Sequence, residues 1–256
     1  MNLVQALAVL FGLLFGSFLN VLIHRLPRDE SPWHGRSHCP HCRRTVRWFE
    51  NLPVLSFLGL RGRCAGCHER ISWRYPLVET ASALLAWFCA WHFGTLGEIA
   101  AYYFFLATLL AIACIDWQHM IIPDELSLGA LVLGLVLAAT VMPLGILQAL
   151  LGVAAGAGFI WGVALLYKLT RGAEGMGFGD VKLAGMIGAF LGPFHVLFVI
   201  FLAALLGSVY GGVLIARGGT RKSMLAFGTF LAMSAALSLL VGDELAVWYL
   251  ALGRRP

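Results

Sequence analysis

Long uncharged runs dominate this chain and fix what it can become. Residues 3–22, 145–167 and 194–216 contain no Asp, Glu, Lys or Arg. A helix that crosses a bilayer needs roughly 20 apolar residues, and each of these runs supplies them. The composition agrees: 60% of the 256 residues are hydrophobic and 12% are charged, against about 25% charged in a soluble domain. One globular core cannot hide that much apolar surface. The expected fold is an all-α polytopic membrane protein with about eight transmembrane helices, at 3–24, 77–93, 98–115, 125–142, 145–167, 181–192, 194–216 and 224–241. The sixth segment is short enough to be a half-span. The expected organisation is a first helix over 1–24, a loop domain over 25–76 and a helical core over 77–256.

The basic residues predict the orientation. No Lys or Arg precedes the first apolar run, whereas Arg25 and Arg28 follow it. This is the reverse of a secretory signal, so the first span is expected to be retained with its N-terminus outside. The 18 Lys and Arg residues cluster in the loop 25–76, around 168–182 and at 217–222. With eight spans, all but Arg254 and Arg255 fall on one side, which the positive-inside rule makes cytoplasmic. The net charge of +5 therefore reflects topology and contact with anionic lipid, not nucleic acid.

Cys39-Pro-His-Cys42 and Cys64-Ala-Gly-Cys67 stand 21 residues apart in that loop. Each C-x-x-C offers two sulfurs from one turn, and two turns complete a tetrahedral S₄ site suited to a structural Zn²⁺. Thiols on the cytoplasmic side stay reduced, which argues against disulfides. His38, His41 and His68 are alternative ligands, and an unmetallated or redox dithiol loop is the competing reading. Cys89 and Cys114 lie in apolar runs and are expected to be small buried hydrophobes.

Two aspartates carry the expected chemistry. Asp116 ends the run 102–115, and Asp180 follows Gly175-Met176-Gly177-Phe178-Gly179, whose three glycines permit a tight turn. Acids at membrane boundaries usually mark function. If the two helices meet, their carboxyl groups can share one proton, one acting as base on water and the other as acid. The competing reading is that each caps a helix or pairs with a boundary base. Asp124 and Glu125 suit a first helical turn after Pro123. Glu79 is expected at a helix start, Glu174 and His119 in solvent, and Lys182 snorkelling.

In this order the motifs resemble the type 4 prepilin peptidases. The resemblance is carried by Gly16-Ser17-Phe18-Leu19-Asn20-Val21 with Ile23-His24-Arg25-Leu26-Pro27, by the paired C-x-x-C motifs and by Arg74-Tyr75-Pro76-Leu77-Val78-Glu79. Ile115-Asp116 with Pro123-Asp124 and Glu174–Leu183 complete the set. It implies an intramembrane aspartic endopeptidase of the bacterial inner membrane, with Asp116 and Asp180 catalytic and an active site facing the cytoplasm. The implied substrates are helices of type IV prepilins or type II secretion pseudopilins. The four cysteines further imply N-methylation of the new N-terminus from S-adenosylmethionine, with Gly16–Asn20 and Glu79 as candidates for the donor site by resemblance alone. The family often carries a Pro-Phe-Gly-Pro-Phe-like stretch before its last span. Here it reads Ala226-Phe227-Gly228-Thr229-Phe230, a departure expected to leave the acids untouched. The alternative function is a transporter or metal-sensing scaffold that relays ions or protons through the same acids.

Overall fold

The computed structural model describes residues 2–172, 177–218 and 226–252, the side chains of 241 and 243–252 excepted. Glu174, Gly175, Met176, Arg221, Lys222, Arg254 and Arg255 lie outside the described residues. The described chain is helical, its only extended pairing being the isolated bridges His38–Thr45 and Arg63–Arg70. The helices are α1 (Leu3–Arg25), α2 (Leu55–Gly59), α3 (Arg74–His92), α4 (Leu96–His119), α5 (Asp124–Thr140), α6 (Ile146–Arg171), α7 (Phe178–Ala216) and α8 (Phe227–Leu252). Two compact units divide at Ala111/Ile112, within the continuous helix α4.

In the first unit α1 and α3 pack with their backbones nearly touching. A Cβ on Gly12 would lie 2.7 Å from the Ala83 Cα, and one on Gly16 would lie 2.7 Å from the Glu79 Cα. Small residues four apart permit such an approach between membrane helices. Polar links secure it. The Ser82 hydroxyl bonds to the Gly12 carbonyl (2.8 Å) and to the Tyr103 hydroxyl (2.7 Å), and Asn20 Nδ2 donates to the Tyr75 carbonyl (3.1 Å). Because α3 begins at Arg74, with Pro76 tolerated in its first turn, Glu79 sits in the second turn and is buried. This corrects its expected place at a helix start.

In the second unit α6 and α7 approach as closely. A Cβ on Gly152 would fall 2.1 Å from the Gly188 carbonyl oxygen, and one on Gly156 would fall 2.5 Å from that of Ala184. The segments expected at 181–192 and 194–216 form one run, α7, broken at Gly192. There φ is 79° and ψ 178°, a conformation that only glycine adopts readily, and Pro193 follows. The part before the break, 178–191, is roughly 21 Å long at 1.5 Å per residue, too short to cross a hydrocarbon core of about 30 Å.

Among the described residues, four helical runs are long and apolar enough to cross a membrane: Leu3–Arg28, Leu96–His119, Ile146–Arg171 and Phe178–Ala216. The expected count of about eight is thus met in full span length by four, with α3, α5 and the described part of α8 shorter or less apolar. Large apolar side chains such as Leu7, Leu14, Leu147, Trp161 and Phe201 point outward from the long helices, the surface a lipid environment requires. The protein is an integral membrane protein. Cys89 is buried as expected, whereas Cys114 is only partly so.

Candidate active site and cysteine cluster

Helix α4 runs through Asp116 rather than stopping before it. The Asp116 carbonyl accepts the N–H of Met120 at 2.8 Å. Met120 then takes a left-handed conformation (φ 55°) and the chain leaves the helix toward Pro123. Asp116 therefore projects from the last turn of α4 and is 4% exposed. Asp180 sits in the first turn of α7, whose N-cap is Gly177, and is 9% exposed. The Asp116 carboxylate lies close enough to act electrostatically on Asp180.

Ile122 fits between the elements that carry these acids. A Cβ on Gly179 would lie 3.1 Å from the Ile122 Cβ, and one on Gly228 would lie 2.7 Å from its Cδ1 and 3.1 Å from Asp116 Oδ2. Bare backbone at 179 and 228 thus lets the starts of α7 and α8 close on the Asp116 turn. Asp116 Oδ2 accepts the Thr229 N–H at 2.6 Å and lies 3.0 Å from the Thr229 hydroxyl. The divergent stretch 226–230 therefore touches an acid directly, correcting the expectation that it leaves them untouched. Asp116 thus accepts an N–H from the first turn of α8, where helices favour a negative group. The missed residues, Thr229 and Gly228, lay in the one stretch where the sequence departs from the resembled pattern.

Lys182 does not snorkel freely. Its Nζ lies 2.6 and 2.7 Å from the two carboxylate oxygens of Asp124, linking the N-terminal part of α7 to the first turn of α5. Asp124 and Glu125 occupy that first turn as expected. His119 is exposed.

The first unit carries the four cysteines on two matching turns. The Cys39 N–H donates to the Arg44 carbonyl and the Cys64 N–H to that of Glu69, while Arg43 and His68 take left-handed conformations just after each second cysteine. All four Sγ atoms lie within 4.8 Å of one another, and those of Cys39 and Cys67 are 3.8 Å apart. A tetrahedral Zn–S₄ site with bonds of about 2.3 Å has sulfur–sulfur edges of about 3.8 Å, so this donor set fits the ion. The N–H groups of Cys67 and Gly66 hold the Cys64 thiol down to about 6. Cys67 is pushed up to about 11: the Glu69 N–H lowers it, but burial and the neighbouring sulfurs raise it more. An ion pair of Arg44 with Glu50 (2.6 Å) braces the first turn. Arg25 donates to the carbonyls of Ser31, His34 and Gly35, a loop clamp beyond its expected role in topology.

Residues 10–93 match the family described as the bacterial peptidase A24 N-terminal domain, and residues 103–212 match the type IV leader peptidase family. The prepilin leader peptidase/N-methyltransferase of Stutzerimonas stutzeri is 38% identical over 274 residues, covering 96% of this chain and 94% of the relative. The chain belongs to the type IV leader peptidase family. The like-named protein of Pseudomonas aeruginosa is 37% identical, covering 94% of this chain and 92% of its own length. That of Aeromonas hydrophila is 38% identical, with 96% and 93% covered. No solved structure matches the chain. Membership in a leader peptidase family does not favour the alternative of a transporter or metal-sensing scaffold.

Proposed function

We propose that this protein is a membrane-embedded aspartic endopeptidase that removes the leader of type IV prepilins or type II secretion pseudopilins and then methylates the new N-terminal amine. The observation that carries the peptidase reading is the convergence of Asp116 and Asp180, two buried carboxylates from the end of α4 and the start of α7, around Ile122. Two close carboxyl groups share one proton, because both cannot ionise cheaply at short range. The ionised member takes a proton from water as it attacks the scissile carbonyl. The protonated member donates to the departing amide nitrogen, and the roles reverse for the next cycle. Thr229 occupies Asp116 Oδ2 and thereby leaves Oδ1 as the oxygen available to water.

The substrate is an apolar helix with a basic leader, so its cleavage point stands at the membrane boundary. The distribution of Lys and Arg supports an inner-membrane location with the acids facing the cytoplasm. The four cysteines would hold one structural Zn²⁺, which folds a loop with few apolar residues of its own. S-Adenosylmethionine, when bound, supplies an electrophilic methyl group: the amine lone pair forms the N–C bond, the C–S pair returns to sulfur, and the methylated ammonium loses one proton to solvent.

The test is mass spectrometry of a prepilin co-expressed with the full chain. The expected product is cut after the leader and carries one added methyl. Asp116→Asn and Asp180→Asn should each abolish the cut. Normal processing by either variant would remove that residue from the mechanism.

A further inference from the structure

The cysteine loop turns apolar side chains outward, although it lies outside the membrane-spanning runs. Leu55 and Leu58 stand three apart on one face of α2 and are 68% and 62% exposed. Trp48, Phe49 and Leu52, just before them, are exposed as well. The other face of α2 is already used. Phe57 is buried there, with its ring 4.9 Å from that of Trp73. The segment 48–60 thus has one apolar face turned inward and a second turned outward, where a patch of this kind marks a contact with a membrane or a partner.

Two contacts fix the height of that segment. The Val54 N–H donates to Glu79 Oε2 at 2.8 Å, and Glu79 lies in the second turn of α3. Phe57 meets Trp73, the residue just before α3. Helix α2 is thereby held beside the first turns of α3 and not out beyond them. Val54 takes φ 60° and ψ −45° to make its bond, a conformation that a β-branched residue rarely adopts and that persists only where the surroundings hold it. Leu77, in the first turn of α3, is also exposed, so the outward apolar surface of the membrane helices continues to the level of Leu55 and Leu58. Arg61 and Arg63 follow α2 directly and are exposed. Between them Gly62 has φ 66°, and a Cβ there would stand 3.0 Å from the Phe57 ring, so glycine lets the basic turn close on α2. Arg61, Arg63 and His68 line a hollow of about 560 Å³ at the end of that helix.

We propose that the segment 48–60 lies in the membrane interface, with Leu52, Leu55 and Leu58 among the lipid chains and Arg61 and Arg63 on the phosphates of anionic phospholipids. A short apolar face flanked by arginines is the pattern of a segment that lies on a bilayer rather than across it. Tryptophans such as Trp48 and Trp73 favour the headgroup level, and an arginine fork matches a phosphate. The adjoining basic turn selects an anionic surface. Continuity with the outward face of α3 selects the bilayer over a second copy of the chain. The four-cysteine turns then ride on the leaflet instead of standing free of it. This placement needs only an integral membrane protein, and it is independent of the peptidase and methyl-transfer chemistry.

The test uses the full chain in lipid nanodiscs made of phosphatidylcholine with or without phosphatidylglycerol. Either lipid carries a photoactivatable diazirine on its acyl chain, and peptide mapping after irradiation gives the labelled positions. Trypsin cuts after Arg47 and Arg61 and releases 48–61 as one peptide. The expected label falls on that peptide as well as on the long helices, and phosphatidylglycerol labels it at least threefold more than phosphatidylcholine. The double variant Leu55→Glu/Leu58→Glu should lose at least fivefold of the label there and none on 145–167. Arg61→Gln with Arg63→Gln should abolish the preference for phosphatidylglycerol. A 48–61 peptide without lipid label in the unaltered chain overturns the proposal, as does cross-linking of that peptide to a second chain when two share a disc. Equal labelling by the two lipids overturns the assignment of the arginines. The map on the unaltered chain decides the case even where a variant does not fold.

Discussion

Thr229 presents both its backbone N–H and its hydroxyl to one oxygen of Asp116, at 2.6 and 3.0 Å. The N–H comes from the first turn of α8 and the carboxylate from the last turn of α4, so one residue ties two helix ends to a candidate catalytic group. The hydroxyl also lies 3.3 Å from the Ala113 carbonyl. Having a single proton, it can serve only one of these acceptors at a time. Thr229→Val keeps the N–H, the shape and the helix, and removes only the hydroxyl. A hydrogen bond to a charged group contributes about 1.5–3 kcal/mol. The expected result is a fall of about tenfold or more in prepilin cleavage, with Thr229→Ser near the parent. Equal rates for Thr229→Val and the parent would show that the N–H alone positions Asp116.

Gly228 is held to its size by the same acid. An added methyl would meet Ile122 Cδ1 at 2.7 Å and Asp116 Oδ2 at 3.1 Å. The isoleucine tip can move, whereas the carboxylate is pinned by Thr229. Gly228→Ala should therefore reduce cleavage by more than tenfold while leaving the protein folded in the membrane. Adding Ile122→Val, which removes the closer contact, should recover part of the loss. A fully active Gly228→Ala enzyme would mean that Asp116 has freedom to shift.

The Lys182–Asp124 pair is close, yet the Asp124 side chain is 57% exposed. Exposed ion pairs contribute at most about 1 kcal/mol. Asp124→Asn is expected to lower thermal stability slightly and to leave the cleavage rate within a fewfold of the parent. Complete loss of cleavage in a folded Asp124→Asn protein would assign the pair a part in substrate handling.

In the metal-free protein the thiols should not react alike. Cys64, held down to about 6 by the N–H groups of Cys67 and Gly66, is a thiolate at neutral pH, the form that attacks alkylating reagents. Cys67 is the more exposed but is raised to about 11. Iodoacetamide at pH 7.5, followed by peptide mass spectrometry, should label Cys64 first, against the order of exposure. A depressed thiol contributes its full stabilisation above its unfolded value of about 8.5 and loses it as pH falls through about 6. Zinc retention, read by elemental analysis, should fall over that lower range because protons compete for the sulfurs.

The sequence alone determined the class of solvent and most of the helices. Uncharged runs of bilayer length leave no other assignment, and their ends were legible because Pro, Gly and basic residues punctuate them. It also determined that the four cysteines could meet, since a C-x-x-C pair brings its own two sulfurs together by local turn geometry. Tertiary structure decided what depends on residues far apart in the chain. The partner of Asp116 stands 113 positions away, and no periodicity or motif pairs a threonine with that acid. The burial of Glu79 likewise appears only once α1 and α3 close against each other through Gly12 and Gly16. Local sequence sets dihedral preferences and apolar faces, whereas a hydrogen bond across helices exists only after packing has chosen which faces touch.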